Sequence, residues 1–161
     1  LFPTDDSLES LLWPKKETLN AIGVLKKYKL SVFREDMYSK KIVKLFGWNS
    51  DGWIGKNVMA RVTSGEEGIL SMNVYLPTEI FSKVYKNSLI LQIIIDGKII
   101  DEQKFSNGSF DKGAVDITLN VPKNETLSLE LKLDKFYIPA EFDLGKDLRE
   151  LGIIINKIEA K

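Results

Sequence analysis

Residues 114–134 read AVDITLNVPKNETLSLELKLD. Val115, Ile117, Leu119 and Val121 alternate with Asp116, Thr118 and Asn120, and Leu127, Leu129, Leu131 and Leu133 alternate with Ser128, Glu130 and Lys132. Successive side chains of a strand point to opposite faces, so each stretch offers one face to a core and the other to water. That is the pattern of an antiparallel sheet. Pro122-Lys123-Asn124-Glu125 between them has turn-forming composition.

The same reading extends outward. Strands are predicted over residues 57–63, 68–77, 88–96, 98–106 and 152–160 in addition to 114–122 and 126–134, seven in all. Asp96-Gly97 between two apolar runs predicts a two-residue hairpin, because a type I′ turn needs positive φ at both central positions. Gly65, Gly68 and Asn107-Gly108 punctuate the rest at a spacing that fits a sandwich or barrel and not βαβ units. The expected fold is mainly β, an antiparallel β-sandwich of jelly-roll type.

One or two helices are expected ahead of it. In residues 15–29, Leu19, Ile22, Leu25 and Tyr28 recur at spacings of three, as on an amphipathic helix. Pro14 suits that helix's first turn, and Thr4-Asp5-Asp6-Ser7 offers caps for a shorter one. The chain therefore divides into a helical segment over residues 1–34, packing on or linking to the sandwich, and a sandwich domain over residues 35–161.

Composition narrows the chemistry. Hydrophobic residues at 43% and charged residues at 29% describe a folding chain, and 161 residues suffice for one core. No apolar run approaches the roughly 18 residues that cross a bilayer, so a soluble domain is expected. A start at Leu1-Phe2-Pro3 suggests a domain cut from a longer protein. Without cysteine there are no disulfides or thiolate sites, and without histidine no imidazole base or triad. No cofactor and no metal site is expected.

The 23 basic residues balance the 23 acidic ones, which argues against nucleic acid as a partner. The distribution is uneven: in residues 14–46 nine Lys and Arg face three acids, and the rest of the chain carries the compensating negative charge. Those residues form either a solvated helical face or a patch that meets anionic lipid.

Several residues could form a site. Trp48 and Trp53 bracket Asn49-Ser50-Asp51-Gly52, a turn; exposed indoles stack on pyranose rings, and Asn49 and Asp51 could bind hydroxyls. The same indoles could equally be core anchors. Asp147 and Arg149 are read as a structural pair that could be buried, or as a site for an anionic or hydroxylated ligand. Asp51, Glu141, Asp143 and Asp147 include the two acids a glycosidase would need, but their spacing selects no pair. Asn49-Ser50-Asp51-Gly52 lacks the later ligands of a calcium loop. Asn107-Gly108-Ser109 and Asn124-Glu125-Thr126 match the glycosylation acceptor pattern at positions where asparagine is favoured anyway. No catalytic residue is identified.

Four stretches carry a resemblance. Phe46-Gly47-Trp48-Asn49-Ser50-Asp51-Gly52-Trp53-Ile54-Gly55-Lys56, then Val74-Tyr75-Leu76-Pro77, then Phe136-Tyr137-Ile138-Pro139, and finally Asp147-Leu148-Arg149-Glu150-Leu151-Gly152 occur in that order. Together they resemble jelly-roll-like accessory domains of bacterial membrane-associated glycosyltransferases and cell-surface polysaccharide assembly proteins. Leu30-Ser31-Val32-Phe33 is similar to the junction that follows the last membrane span in many of them. The resemblance implies a non-catalytic module that binds an oligosaccharide or positions a catalytic part, touching the parent's membrane or catalytic domain. It favours the extracytoplasmic side, whereas the basic N-terminal segment would favour the cytoplasm if a span directly preceded it. A structural or protein-interaction domain is the alternative, and a glycan-active enzyme a third.

Overall fold

The computed structural model describes residues 41–161. The helix expected around Leu19, Ile22, Leu25 and Tyr28, the stretch Leu30-Ser31-Val32-Phe33 and the division at residues 34 and 35 lie outside the described residues. Eight strands run β1 Ile42–Trp48, β2 Trp53–Thr63, β3 Ile69–Tyr75, β4 Leu89–Ile95, β5 Lys98–Phe105, β6 Val115–Asn120, β7 Thr126–Leu133 and β8 Ile153–Ala160. A short helix, α1, spans Thr78–Lys83, and a 3-10 turn spans Pro139–Phe142. Among the described residues, no helix is long and apolar enough to cross a membrane.

Every pairing is antiparallel, and the strand order is β5-β4-β7-β2-β8-β3-β6, with β1 added on β2. β2 changes partners along its length. Asn57–Thr63 pairs with β7 and Ile42–Phe46 of β1, whereas only Trp53 and Ile54 pair with β8, through Ile154 and Ile153. The sheet thus curls into two layers, β5-β4-β7-β2-β1 and β8-β3-β6, joined at the start of β2. This interleaving is that of a jelly-roll β-sandwich.

Alternation builds the core. Val58, Ala60 and Val62 of β2, Leu70, Met72 and Val74 of β3, Leu89, Leu91, Ile93 and Ile95 of β4, and Leu127, Leu129, Leu131 and Leu133 of β7 are buried in one cluster. Their neighbours Asn57, Arg61, Ser128 and Lys132 are exposed. The seven predicted strands correspond to β2 through β8. The Asp96-Gly97 hairpin is present too: Ile95 pairs with Lys98, and the two turn residues have φ of 49° and 83°. Ser128 N–H also donates to Asp96 Oδ1 at 2.8 Å, fixing the turn to β7.

β1 was not predicted. Residues 41–46, the described part of the basic segment, lie in and just before a strand and not on a helical face. Register shifts between Lys44 and Phe46 and between Phe46 and Trp48 break the alternation, leaving Lys44, Leu45 and Phe46 consecutively exposed. The loop between β5 and β6 is pinned by Phe110, which is buried against Phe105, Phe81 and Tyr75 with ring centroids 5.0, 5.2 and 6.4 Å away.

Candidate functional site: the β1–β2 turn and its arginine clasp

The turn between β1 and β2 closes through its own polar groups. Asn49 donates to Trp53 O from both its backbone N–H, at 2.9 Å, and its side-chain Nδ2, at 3.0 Å. Gly52 N–H donates to Asn49 O at 3.1 Å, and Trp53 N–H to Asp51 Oδ1 at 3.3 Å. An asparagine amide satisfying the backbone two or more residues on is the usual reason such residues make tight turns.

Both indoles are half-buried and packed on the core. Trp48 donates its Nε1–H to Met59 O at 2.8 Å, and Lys44 Nζ sits 5.3 Å from its ring centroid. Trp53 meets Tyr137 edge to face, 5.8 Å between centroids at 69°. Tyr137 in turn meets the half-exposed Phe142 at 6.4 Å and the buried Tyr85 at 5.9 Å. An aromatic line therefore runs from the core through Tyr137 to solvent at Phe142.

The second sequence motif arrives at the same place. Arg149 grips Asp147, with Nε 3.0 and 3.1 Å from its two oxygens and Nη2 2.7 Å from Oδ2, and reaches Asp51 Oδ2 at 2.9 Å through Nη2. One guanidinium thus holds two carboxylates, a fork geometry that lysine could not reproduce. The clasp joins the β1–β2 turn to the segment leading into β8. It is not buried: the side chains of Arg149, Asp51 and Asp147 are 42%, 46% and 31% exposed. The expectation of a buried Asp147/Arg149 pair is corrected accordingly, because both residues sit on a surface loop.

Hydrogen bonding to Arg149 is the main reason that Asp51 and Asp147 are both held below the ordinary aspartate value, with a backbone N–H adding to each. The paired carboxylates hold Arg149 above its usual range. Tyr137 is raised, first by burial and then by the charge of Asp147. A glycosidase needs one carboxyl kept protonated as general acid, and two lowered ones do not supply it. Glu141 lies in the 3-10 turn and Asp143 ends it with φ of 57°. Among the described residues, no group of three or more acidic side chains could hold a metal ion.

The stretches that carry the resemblance have physical roles here. Gly47 has φ of +86° and lies against Asn57 O and Val58, where a Cβ would collide. Gly152 donates to Ile54 O at 2.6 Å and faces Leu133 so closely that a Cβ would meet its side chain. Tyr85, buried between α1 and β4, donates its hydroxyl to Gly152 O at 2.6 Å and Leu151 O at 3.0 Å. Tyr85 and Phe142 were not recognised from sequence, since neither lies in a spaced motif.

The clasp makes a pH prediction. Because the folded carboxylates titrate below 3.8, their ordinary value, the clasp contributes fully above that pH and is lost as pH falls through the lower folded values. Salt screening at an exposed pair keeps the global effect small. Protection of the amides near Asp51 and Arg149 against hydrogen exchange, relative to the intrinsic rate at each pH, is expected to fall below pH 3.8 while the β4 and β7 amides stay protected. Arg149→Ala is expected to produce the same local loosening at neutral pH and to remove its dependence on acid. Uniform exchange changes across the sheet would contradict both.

No family model matches this chain, and no curated protein matches it. Among solved structures it is similar to a family 35 carbohydrate-binding module from an environmental isolate, at 12% identity over 70% of this chain and 75% of that one, with a TM-score of 0.36. A family 35 module from Clostridium thermocellum aligns at 10% identity over 76% of this chain and 90% of that one, TM-score 0.39. The second family 51 carbohydrate-binding module of Clostridium perfringens ZmpB, determined with GlcNAc and the adjoining INT domains, aligns at 14% identity over 73% of this chain and 28% of that one, TM-score 0.34.

Proposed function

We propose that the chain is a non-catalytic accessory module that binds a glycan at the clasp end of the sandwich. The observation that carries this reading is the Trp53–Tyr137–Phe142 line, which ends in an exposed ring on the 3-10 turn whose Ala140 N–H donates to Asp147 O at 3.0 Å. An aromatic face takes the C–H face of a pyranose, while ordered carboxylates and a guanidinium take its hydroxyls. Phe142 supplies the stacking face, and Asp51, Asp147 and Arg149 the polar contacts. Trp48 and Asn49 hold the turn in shape, and Trp53 supports Tyr137. The ordered sequence motifs add the setting: a membrane-associated glycosyltransferase or polysaccharide-assembly protein, with the module on the extracytoplasmic side.

Few contacts at an open surface must offset the ligand's lost freedom, so about millimolar affinity is expected. Titrating bacterial surface oligosaccharides while following tryptophan fluorescence and amide shifts is expected to move Trp53 and its neighbours. Phe142→Ala and Arg149→Ala, each confirmed folded, are expected to abolish the response. No response from the unaltered protein to any glycan at high concentration would sink the reading and leave a structural or protein-interaction role.

A further inference from the structure

We infer that the edge of the β1–β2 ribbon that no other described strand pairs is a docking surface for an anionic lipid bilayer. Of the eight large hydrophobic residues exposed in the described sandwich, six fall on two short stretches: Leu45 and Phe46 on β1, and Phe136, Phe142, Leu144 and Leu148 on the segment after β7. Isolated exposed apolar residues are ordinary, whereas a concentration of them marks a contact surface.

Charge accompanies the ribbon part of this surface. Residues 42–63 carry Lys44, Lys56 and Arg61 against one acid, Asp51, which Arg149 already neutralises. Both lysines lie over aromatic rings: Lys44 Nζ is 5.3 Å from the Trp48 centroid and Lys56 Nζ 5.8 Å from that of Phe136. Leu45 and Phe46 are thus exposed next to Lys44 on β1, and Lys56 of β2 lies over the exposed ring of Phe136. Aromatic and aliphatic side chains that enter a headgroup layer, flanked by lysines that stay among its phosphates, are the combination that holds proteins at an interface.

A strand from another protein is the competing occupant of a sheet edge. Regular strand addition needs an unbroken row of backbone N–H and C=O groups, and β1 is interrupted by register shifts on both sides of Phe46. The charge points to an anionic surface, and the irregular ladder points away from a strand.

The test is co-sedimentation of the full 161-residue chain with vesicles of equal parts phosphatidylglycerol and phosphatidylcholine, against vesicles of phosphatidylcholine alone. Binding is expected to the first, to weaken with added salt, and to be near background on the second. Lys44→Gln and Lys56→Gln are expected to lower the partition coefficient about fivefold each. The exposed double substitution Leu45→Ser/Phe46→Ser is expected to lower it at least as far, with unchanged circular dichroism. Should that variant misfold, the two lysine variants decide. Lys56→Gln, which removes none of the groups the glycan reading uses, is expected to leave the glycan response unaltered, so the two readings fail separately. Equal binding to phosphatidylcholine, or full binding by all of the ribbon variants, would overturn the proposal. So would concentration-dependent self-association that Leu45→Ser/Phe46→Ser removes, since it would show a protein partner on this edge.

Discussion

Replacing Phe110 with alanine is expected to lower the unfolding free energy by about 3–5 kcal/mol, the range for deleting a buried phenyl ring. The ring is 2% exposed and meets three other aromatic rings from β3, α1 and β5. Each contact is lost together, and the cavity cannot close, because its walls belong to elements already fixed by sheet pairing. Domains of this kind are typically stable by about 5–15 kcal/mol, so the variant would sit near the edge of folding. A urea titration would show the midpoint move sharply with little change in slope. A midpoint shift of only a few tenths of a molar would show that the β5–β6 loop, and not the core, carries Phe110.

Gly47→Ala is the second variant with a large expected effect, about 2–5 kcal/mol, combining a strained φ with overpacking. The added methyl would meet Asn57 O and Val58, one a backbone atom that cannot step aside without disturbing the β1–β2 pairing. Gly97→Ala separates the two contributions. Gly97 also has positive φ, at +83°, but nothing lies within 4 Å of a Cβ built there, so only the conformational cost of about 1–2 kcal/mol is expected. Equal losses for the two variants would remove the steric part of the argument for Gly47.

Most of the sandwich was legible because its strands obey a period of two. Leu127, Leu129, Leu131 and Leu133 could face only one way, and Asp96-Gly97 could make only a tight hairpin. β1 was not legible: Lys44, Leu45 and Phe46 break alternation where bulges rotate the strand, so lysine content suggested a helix surface instead. α1 is six residues long, too short for a helical period to show. At the clasp, Asp147 and Arg149 were recognisable as partners because they are two residues apart. That Asp51 joins them could not be read, since 98 residues separate it from Arg149 and only the curl of the sheet brings them together. The indoles of Trp48 and Trp53 stood out by residue type, yet the ring at the exposed end of the aromatic line from Trp53 is Phe142.

The partner change along β2 also sets the order in which the polypeptide can become a domain. β8 lies between β2 and β3, so the smaller layer has no link to the larger one until Ile153 and Ile154 have been made. During synthesis, β2 can pair early with β1, and β4 with β5, because those hairpins are local. The remaining contacts wait: β7 must return to β2 across more than sixty residues, and Ala160 must reach Leu70 across ninety. Such long-range pairing makes folding slow and leaves inner faces uncovered in the meantime. A ribosome-bound chain would therefore hold apolar strand surface open to chaperones, or to its neighbours, until almost the last residue of β8 has emerged.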